Sequence, residues 1–375
     1  MQYKSTLQSV LICLFAVLTV AVCILPARAL AASTTWIVPF GDWFDCTDNW
    51  SSGSCPDFTV DASIDNGGTA VIDHQVDNGN AVAKSLILGT SQGQSGSVTI
   101  DGTNYGALEV RSDCTGQNLA AVYVGKQGSG KVTVTNGGFI LSSHGYIAAE
   151  TSPNGGTSNG SVTLSGENPF GIANWLIAGD QCTGDAELFV GCTAATDAGG
   201  TALLDVKDGA NVEIDSTVDE PEIKVGLSGT VTGDGLFVLS GPTQSSETAS
   251  VLGTLAPAGT LTIAGNLALD TRATTVCSVT PQGSDNVQVV QQYGNRSDGG
   301  WGHATLHGRL SVTMTGDFSS APTRFLLLHA DAGLNETKFD SKSIKYPVGQ
   351  GWAPYITYDY GGGNVNLDRV YNLGP

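Results

Sequence analysis

The sequence predicts an all-β protein, built as a right-handed parallel β-helix of short stacked strands. Short alternating stretches recur at residues 96–102, 130–137, 160–166 and 259–265, each bounded by Gly and reading like GSVTIDG or GKVTVTNG. Within them the apolar residues sit two apart, Val132 with Val134 and Leu261 with Ile263, while Thr or Ser fills the alternate positions. That period of two turns one face inward and leaves the other to solvent. A second set of short strands, at residues 85–89, 121–125, 175–179 and 187–191, ends in Gly each time. The repeating unit is therefore a strand ending in Gly, a short gap, and then a Gly-Ser-x-Val-Thr-Val strand. Gly-ended strands recur at Gly89, Gly125, Gly179, Gly191 and Gly226 with an irregular period. A sandwich or barrel also contains many short strands, but a closed barrel is hard to continue over about 200 residues, whereas a solenoid adds rungs.

Taken in order, residues 1–31 read as a signal peptide. Lys4 lies in a polar start, an apolar run extends from Val10 to Leu25, and Pro26 precedes the small residues Ala27, Ala29 and Ala31. The run is near the lower limit of roughly 17 residues for a membrane span, so cleavage is expected rather than anchoring. No transmembrane segment is expected after cleavage.

Residues 32–60 form an aromatic N-terminal cap, with Trp36, Phe40, Trp43, Phe44, Trp50 and Phe58. The three tryptophans are seven apart, but Pro39, Gly41 and Ser51-Ser52-Gly53 argue against a helix. Large aromatics more often pack than bind. A plug over the first rung is therefore expected, with a sugar-stacking strip as the alternative. Residues 61–265 form the β-helix body. Residues 266–375 form a β-rich C-terminal capping region with longer strands at 309–316 and 324–329. Within it, 291–305 is a polar, Gly-rich surface loop, and 352–367 are two strands joined through 359–364.

The chain has 375 residues, 16 basic and 35 acidic, for a formal net charge of −19. Loss of Lys4 and Arg28 with the signal takes this to −21. Nucleic acid is excluded as a partner because its phosphates would be repelled. Charged residues are only 14% of the chain while Gly occupies 50 positions, so the surface must be mostly Ser, Thr, Asn, Gln and Gly.

Six cysteines follow the signal: Cys46, Cys55, Cys114, Cys182, Cys192 and Cys277. An exported chain meets an oxidising compartment. The disulfide candidates are the pairs close in sequence, Cys46 with Cys55 and Cys182 with Cys192. No spacing suggests zinc.

The stretches at 229–235 (GTVTGDG) and 252–266 (LGTLAPAGTLTIAGN) resemble the late rungs of bacterial autotransporter passenger domains and related secreted Gly-rich β-helix surface proteins. Residues 284–289 (SDNVQV) resemble the short strand that follows those rungs, and 325–334 (FLLLHADAGL) with Lys338-Phe339, and 365–367, are similar to the closing segment of such passengers. The opening at Gly41-Asp-Trp43, Asn49-Trp50 and Cys55-Pro56 resembles their N-terminal start. The resemblance covers most of the chain after the signal, in strand and turn grammar. It implies an adhesive, cell-surface role. An autotransporter also needs a translocating barrel of roughly a dozen strands, and no such region follows the rungs up to Pro375. A stand-alone secreted protein, or one with a separate exporter, is expected.

Candidate chemistry is sparse. His303 and His307 are four apart beside Trp301, but in a strand their rings would lie roughly 13 Å apart, too far to share an ion. His74, His144 and His329 have no partner that spacing identifies. Acidic residues gather at Asp205, Asp208, Glu213, Asp215, Asp219, Glu220 and Glu222. Calcium is the one ion such a run would admit. No EF-hand or Gly-Gly-x-Gly-x-Asp repeat is present, so the run is read as a solvated edge and no cofactor is expected. No nucleophile elbow, P-loop or dinucleotide fingerprint occurs. Sequons at Asn49 and Asn295 matter only in a host that glycosylates them. No catalytic residue is singled out. The expected function is a structural or adhesin-like surface protein, with a polysaccharide lyase or hydrolase, or a carbohydrate-binding module, as the alternatives. The expected partner is a cell-surface or extracellular polysaccharide or protein.

Overall fold

The computed structural model describes residues 32–76, 79–111, 120–150, 157–169, 171–179, 184–216, 221–241, 247–291, 302–348 and 351–371. Its architecture is a parallel β-helix. Each coil contributes one strand to each of three sheets of ten, twelve and eleven strands. One coil runs Ala121–Val124, Ser129–Thr135 and Phe139–Ser142. The next runs His144–Ile147, Asn159–Ser165 and Asn174–Ala178.

The register explains why the alternating pattern repeats. Val132 lies between Val98 and Val162, and Val134 between Ile100 and Leu164, in a straight parallel ladder. All six are at most 1% exposed, so like side chains stack inside the coil. Thr133 lies between Thr99 and Thr163 on the outer face. A slip of one residue would turn every valine outward, so burial of one face holds the register.

The corner between the first and second sheets leaves little room for side chains. Gly89, Gly125 and Gly191 end first-sheet strands at φ of +65°, +72° and +70°. At the start of second-sheet strands, Gly96, Gly160 and Gly229 lie so close to the first-sheet strand of the neighbouring rung that a Cβ would overlap the carbonyl oxygens of Ile64, Val124 and Val190. Ala202 interrupts this column between Gly160 and Gly229.

The two-strand repeat unit omits a strand that the structure contains. The third sheet is built from strands such as Ala107–Val110, Phe139–Ser142, Asn211–Asp215 and Leu236–Ser240. The Gly179-ended strand belongs to this sheet, whereas those ending at Gly89, Gly125, Gly191 and Gly226 belong to the first. All five look alike locally, and only the partner strand tells them apart.

At the N-terminal end Trp36, Trp43 and Trp50 are each 1% exposed. Trp50 meets Trp36 and Trp43 edge to face, with ring centroids 5.1 and 4.8 Å apart. Its indole N–H donates to the Trp43 carbonyl oxygen at 3.0 Å. Burial of all three rings leaves none of the tryptophans free to stack on a sugar. The segment around them also closes the first rung. Asn49 donates its amide to the Asp42 carbonyl oxygen at 2.8 Å, and the Ser51 N–H donates to the Thr35 carbonyl oxygen at 2.9 Å. Those groups would otherwise form an open strand edge. Cys46 and Cys55 are joined by a disulfide, with Cα atoms 4.5 Å apart. One short helical turn, Cys46–Asn49, lies where the sequence suggested none.

Parallel stacking continues past residue 265, through Thr274–Thr280 and Arg309–Met314 to Ser341–Lys345. Apart from a short hairpin of Thr274–Thr280 with Gly283–Ser284, the pairing in this region turns antiparallel with Arg324–Ala330 against Asn364–Tyr371, and Asn364–Tyr371 against Trp352–Asp359. Arg369, 5% exposed, donates to the Phe318 and Ala321 carbonyl oxygens. Its guanidinium lies 5.2 Å from the Trp352 ring centroid.

Beside it, Asp368 accepts from Arg324 at 2.6 and 3.2 Å and from the Thr357 hydroxyl at 2.7 Å. Burial pushes the Asp368 carboxyl upward, but these bonds outweigh it and hold the group below its ordinary value. A depressed folded pKa adds stability above the unfolded value of about 3.9, and that stability is lost as pH falls through the folded value. Acid titration of stability should therefore show the hairpin loosening below about pH 4. In Asp368→Asn that acid-side slope should flatten, at a lower stability near neutral pH.

Candidate functional site

On the outer face of the second sheet, a trough of about 310 Å³ crosses four rungs. It arises because three successive second-sheet strands open with Ser-Gly-Ser, Ser-Gly-Lys and Asn-Gly-Ser, at 95–97, 129–131 and 159–161. Alternation points the first and third residue of each triplet outward and the glycine inward. Stacking in register then aligns Ser95, Ser129, Asn159 and Thr201 in one column. A second column holds Ser97, Lys131, Ser161 and Leu203. Between them the floor is backbone, at Gly96, Gly130 and Gly160.

Most polar side chains of the lining are unused, whereas the Asn159 amide donates to the Thr157 carbonyl oxygen at 3.5 Å. The hydroxyls of Ser95, Ser97, Ser129, Ser161 and Thr201 and the Lys131 ammonium make no side-chain hydrogen bond or ion pair among the described residues. Elsewhere hydroxyls are consumed locally, as where Thr103 and Thr59 bond Asp101 and Asp57 at 2.6 Å. No carboxylate lines the trough. It offers donors and acceptors at a regular spacing.

The outer face of the first sheet carries the other concentration of chemistry. Tyr123, Tyr146 and Phe189 occupy one column, with centroids 4.9 and 5.5 Å apart and nearly parallel rings. Lys126 lies over Tyr123 at 4.8 Å. The rings cover one another's faces, so they hold rungs together rather than offer a flat platform. Burial raises the Tyr123 phenol, aided by Glu150 and Asp61. Burial also raises Tyr146, aided by Tyr123, Glu187 and Glu150. His144 lies 3.8 Å from Glu187, and Glu187 is in direct register with Glu222 on the next rung.

The acidic run does not gather. Asp205 is on the second sheet against Lys207 at 2.9 Å, Glu213 and Asp215 are on the third, and Glu222 is on the first. The Asp208 N–H at the corner donates to Asp234. Asp219 and Glu220 lie outside the described residues. Among the described residues no three His, Cys, Asp or Glu side chains come together as a metal site. The histidines are dispersed: His74 bonds Asp73 at 2.7 Å, His329 bonds Asn364 at 2.8 Å, and His307 approaches Asp340 at 3.7 Å. His303 bridges to Gly333. Asn49 is 6% exposed, with its amide committed to Asp42.

Cys114, Cys182, Trp301 and Asn295 lie outside the described residues. Cys192 carries a free, buried thiol that donates to the Lys224 carbonyl oxygen at 3.2 Å. Burial pushes the Cys192 thiol up to about 11, and that of the buried Cys277 to about 12. Both are therefore protonated and poor nucleophiles at neutral pH.

Sequence reasoning passed over the trough residues, although the recurring Ser-Gly-Ser triplet was visible. No helix among the described residues is long and apolar enough to cross a membrane. No protein-family model and no curated protein matches the chain.

Proposed function

We propose that this is a secreted or cell-surface structural protein of adhesin type, whose rigid β-helix presents a repeated polar face to an extracellular partner. The observation that carries the reading is the in-register set of polar side chains across four rungs, five of them hydroxyls without a side-chain bond among the described residues, held on a frame that side-chain burial makes stiff. Export is supported by the signal-like residues 1–31 and by the Cys46–Cys55 disulfide, a bond favoured outside the cytosol. The likeness to autotransporter passengers adds the adhesive analogy, at the level of fold alone.

A second reading, a polysaccharide-active enzyme, is favoured by one observation. Glu187 and Glu222 sit in register on adjacent rungs of one column, their strands about 4.8 Å apart. Retaining glycosidases need two carboxyls at about 5 Å.

Beads coated with the purified protein test both readings. Retention on polysaccharide films or on films of extracellular protein, above that of beads coated with an unrelated acidic protein, is the expected result. Retention on neither kind of film overturns the adhesive reading. The same protein incubated with the polysaccharides should release no new reducing ends. Release that Glu187→Gln or Glu222→Gln abolishes would put the enzyme reading first.

A further inference from the structure

We infer that the occupant of the second-sheet trough is an uncharged, extended polysaccharide strand lying along the solenoid axis, across the rungs; the inference rests on the adhesive reading and names its partner. Four rungs separated by about 4.8 Å place matching groups along roughly 14 Å. That regular, shallow track suits a polymer that is itself straight and repeats its hydroxyls. The lining speaks to chemical class. Hydroxyls and one carboxamide both donate and accept, as a sugar hydroxyl does, and here the hydroxyls are not occupied by side-chain bonds among the described residues, while the Asn159 amide donates to the Thr157 carbonyl oxygen at 3.5 Å and keeps its oxygen as an acceptor. The floor between the two columns is backbone, because the residue there faces inward.

Other partners fit less well. A peptide strand joins a sheet through free backbone groups at an edge, but the strands under the trough are paired on both sides. An anionic polymer would meet a single cation, Lys131, on a chain of net charge −19. A lipid surface would need an apolar patch, and Leu203 is the one large apolar side chain in the lining.

Affinity electrophoresis of the whole protein in native gels tests this, with hydroxyethylcellulose and glucomannan as neutral probes and polygalacturonate as the anionic one. The expected result is retardation by a neutral polymer. Ser129→Ile and Ser161→Ile fill the trough with strand-favouring side chains and should weaken it at least tenfold. Thr262→Ile, on the outer face of the third sheet, should leave it unchanged. Circular dichroism melts of each variant confirm that the coil is intact. Retardation by polygalacturonate alone, retardation unaffected by the trough variants, or no retardation by any probe overturns the inference. If the coated beads still adhere to protein films in that case, the adhesive reading stands and only the polysaccharide assignment falls. If they adhere to nothing, both fall.

Discussion

Gly160→Val should unfold the central rungs or prevent them from forming, lowering stability by more than about 4 kcal/mol, at the top of the range for single substitutions. Gly160 has ordinary backbone angles, so the effect is one of space. A Cβ there would overlap the Val124 carbonyl oxygen and press within 2.8 Å of the Ala148 nitrogen and the Ile147 Cγ2. Two of these three atoms are backbone, held by the first-sheet ladder, and cannot swing aside. Ala148 N–H donates to that same Val124 oxygen at 2.8 Å, so the clash also strikes a rung-to-rung hydrogen bond. Thermal unfolding by circular dichroism, with soluble yield as a second readout, measures the loss. Thr163→Val, on the same strand but facing outward, is the control and should change stability by about 0.5 kcal/mol or less. A Gly160→Val protein melting with the wild type would mean that the corner is not wound this tightly.

Trp50→Ala should cost about 3–5 kcal/mol, the usual range for emptying a buried large aromatic site. Trp50 stands between Trp36 and Trp43, is 1% exposed, and ties the two turns of the cap through its bond to the Trp43 carbonyl oxygen. Its removal leaves a void at the end of the coil and loosens residues 49–51, which satisfy the first strand edges. An uncovered parallel edge recruits other chains, so the variant should also aggregate below its melting temperature, detected by light scattering. Trp50→Phe keeps an edge-to-face ring but loses the indole donor, and should fall between the two. If Trp50→Ala melts and scatters like the wild type, the plug is not what closes the coil.

The candidate site shows where local reading stops. The Ser-Gly-Ser, Ser-Gly-Lys and Asn-Gly-Ser triplets were plain in the chain, as turn-flanked strand starts. Ser129 gains its meaning from Ser95 and Asn159, each about thirty residues away, and only strand pairing makes them neighbours. The acidic run at 205–222 shows the converse. It looks like one cluster along the chain, yet a coil of three strands carries Asp205, Glu213 and Glu222 to three different faces.

What the sequence by itself determined was local. Alternation of Val132 and Val134 with threonines sets extended backbone and an inward face, because side chains on a strand alternate and the apolar ones leave water. The three tryptophans and the short spacing from Cys46 to Cys55 marked a packed, stapled N-terminal cap, and both are present. The tertiary structure alone decided which strands meet. Nothing within residues 175–179 places them in the third sheet rather than the first, and nothing within 266–345 shows that the parallel stacking runs on to Lys345. Those outcomes depend on the lengths of the corner segments and on hydrogen bonds between residues tens of positions apart. Such bonds act on the register between rungs, whereas a periodicity of two records only which way each side chain faces.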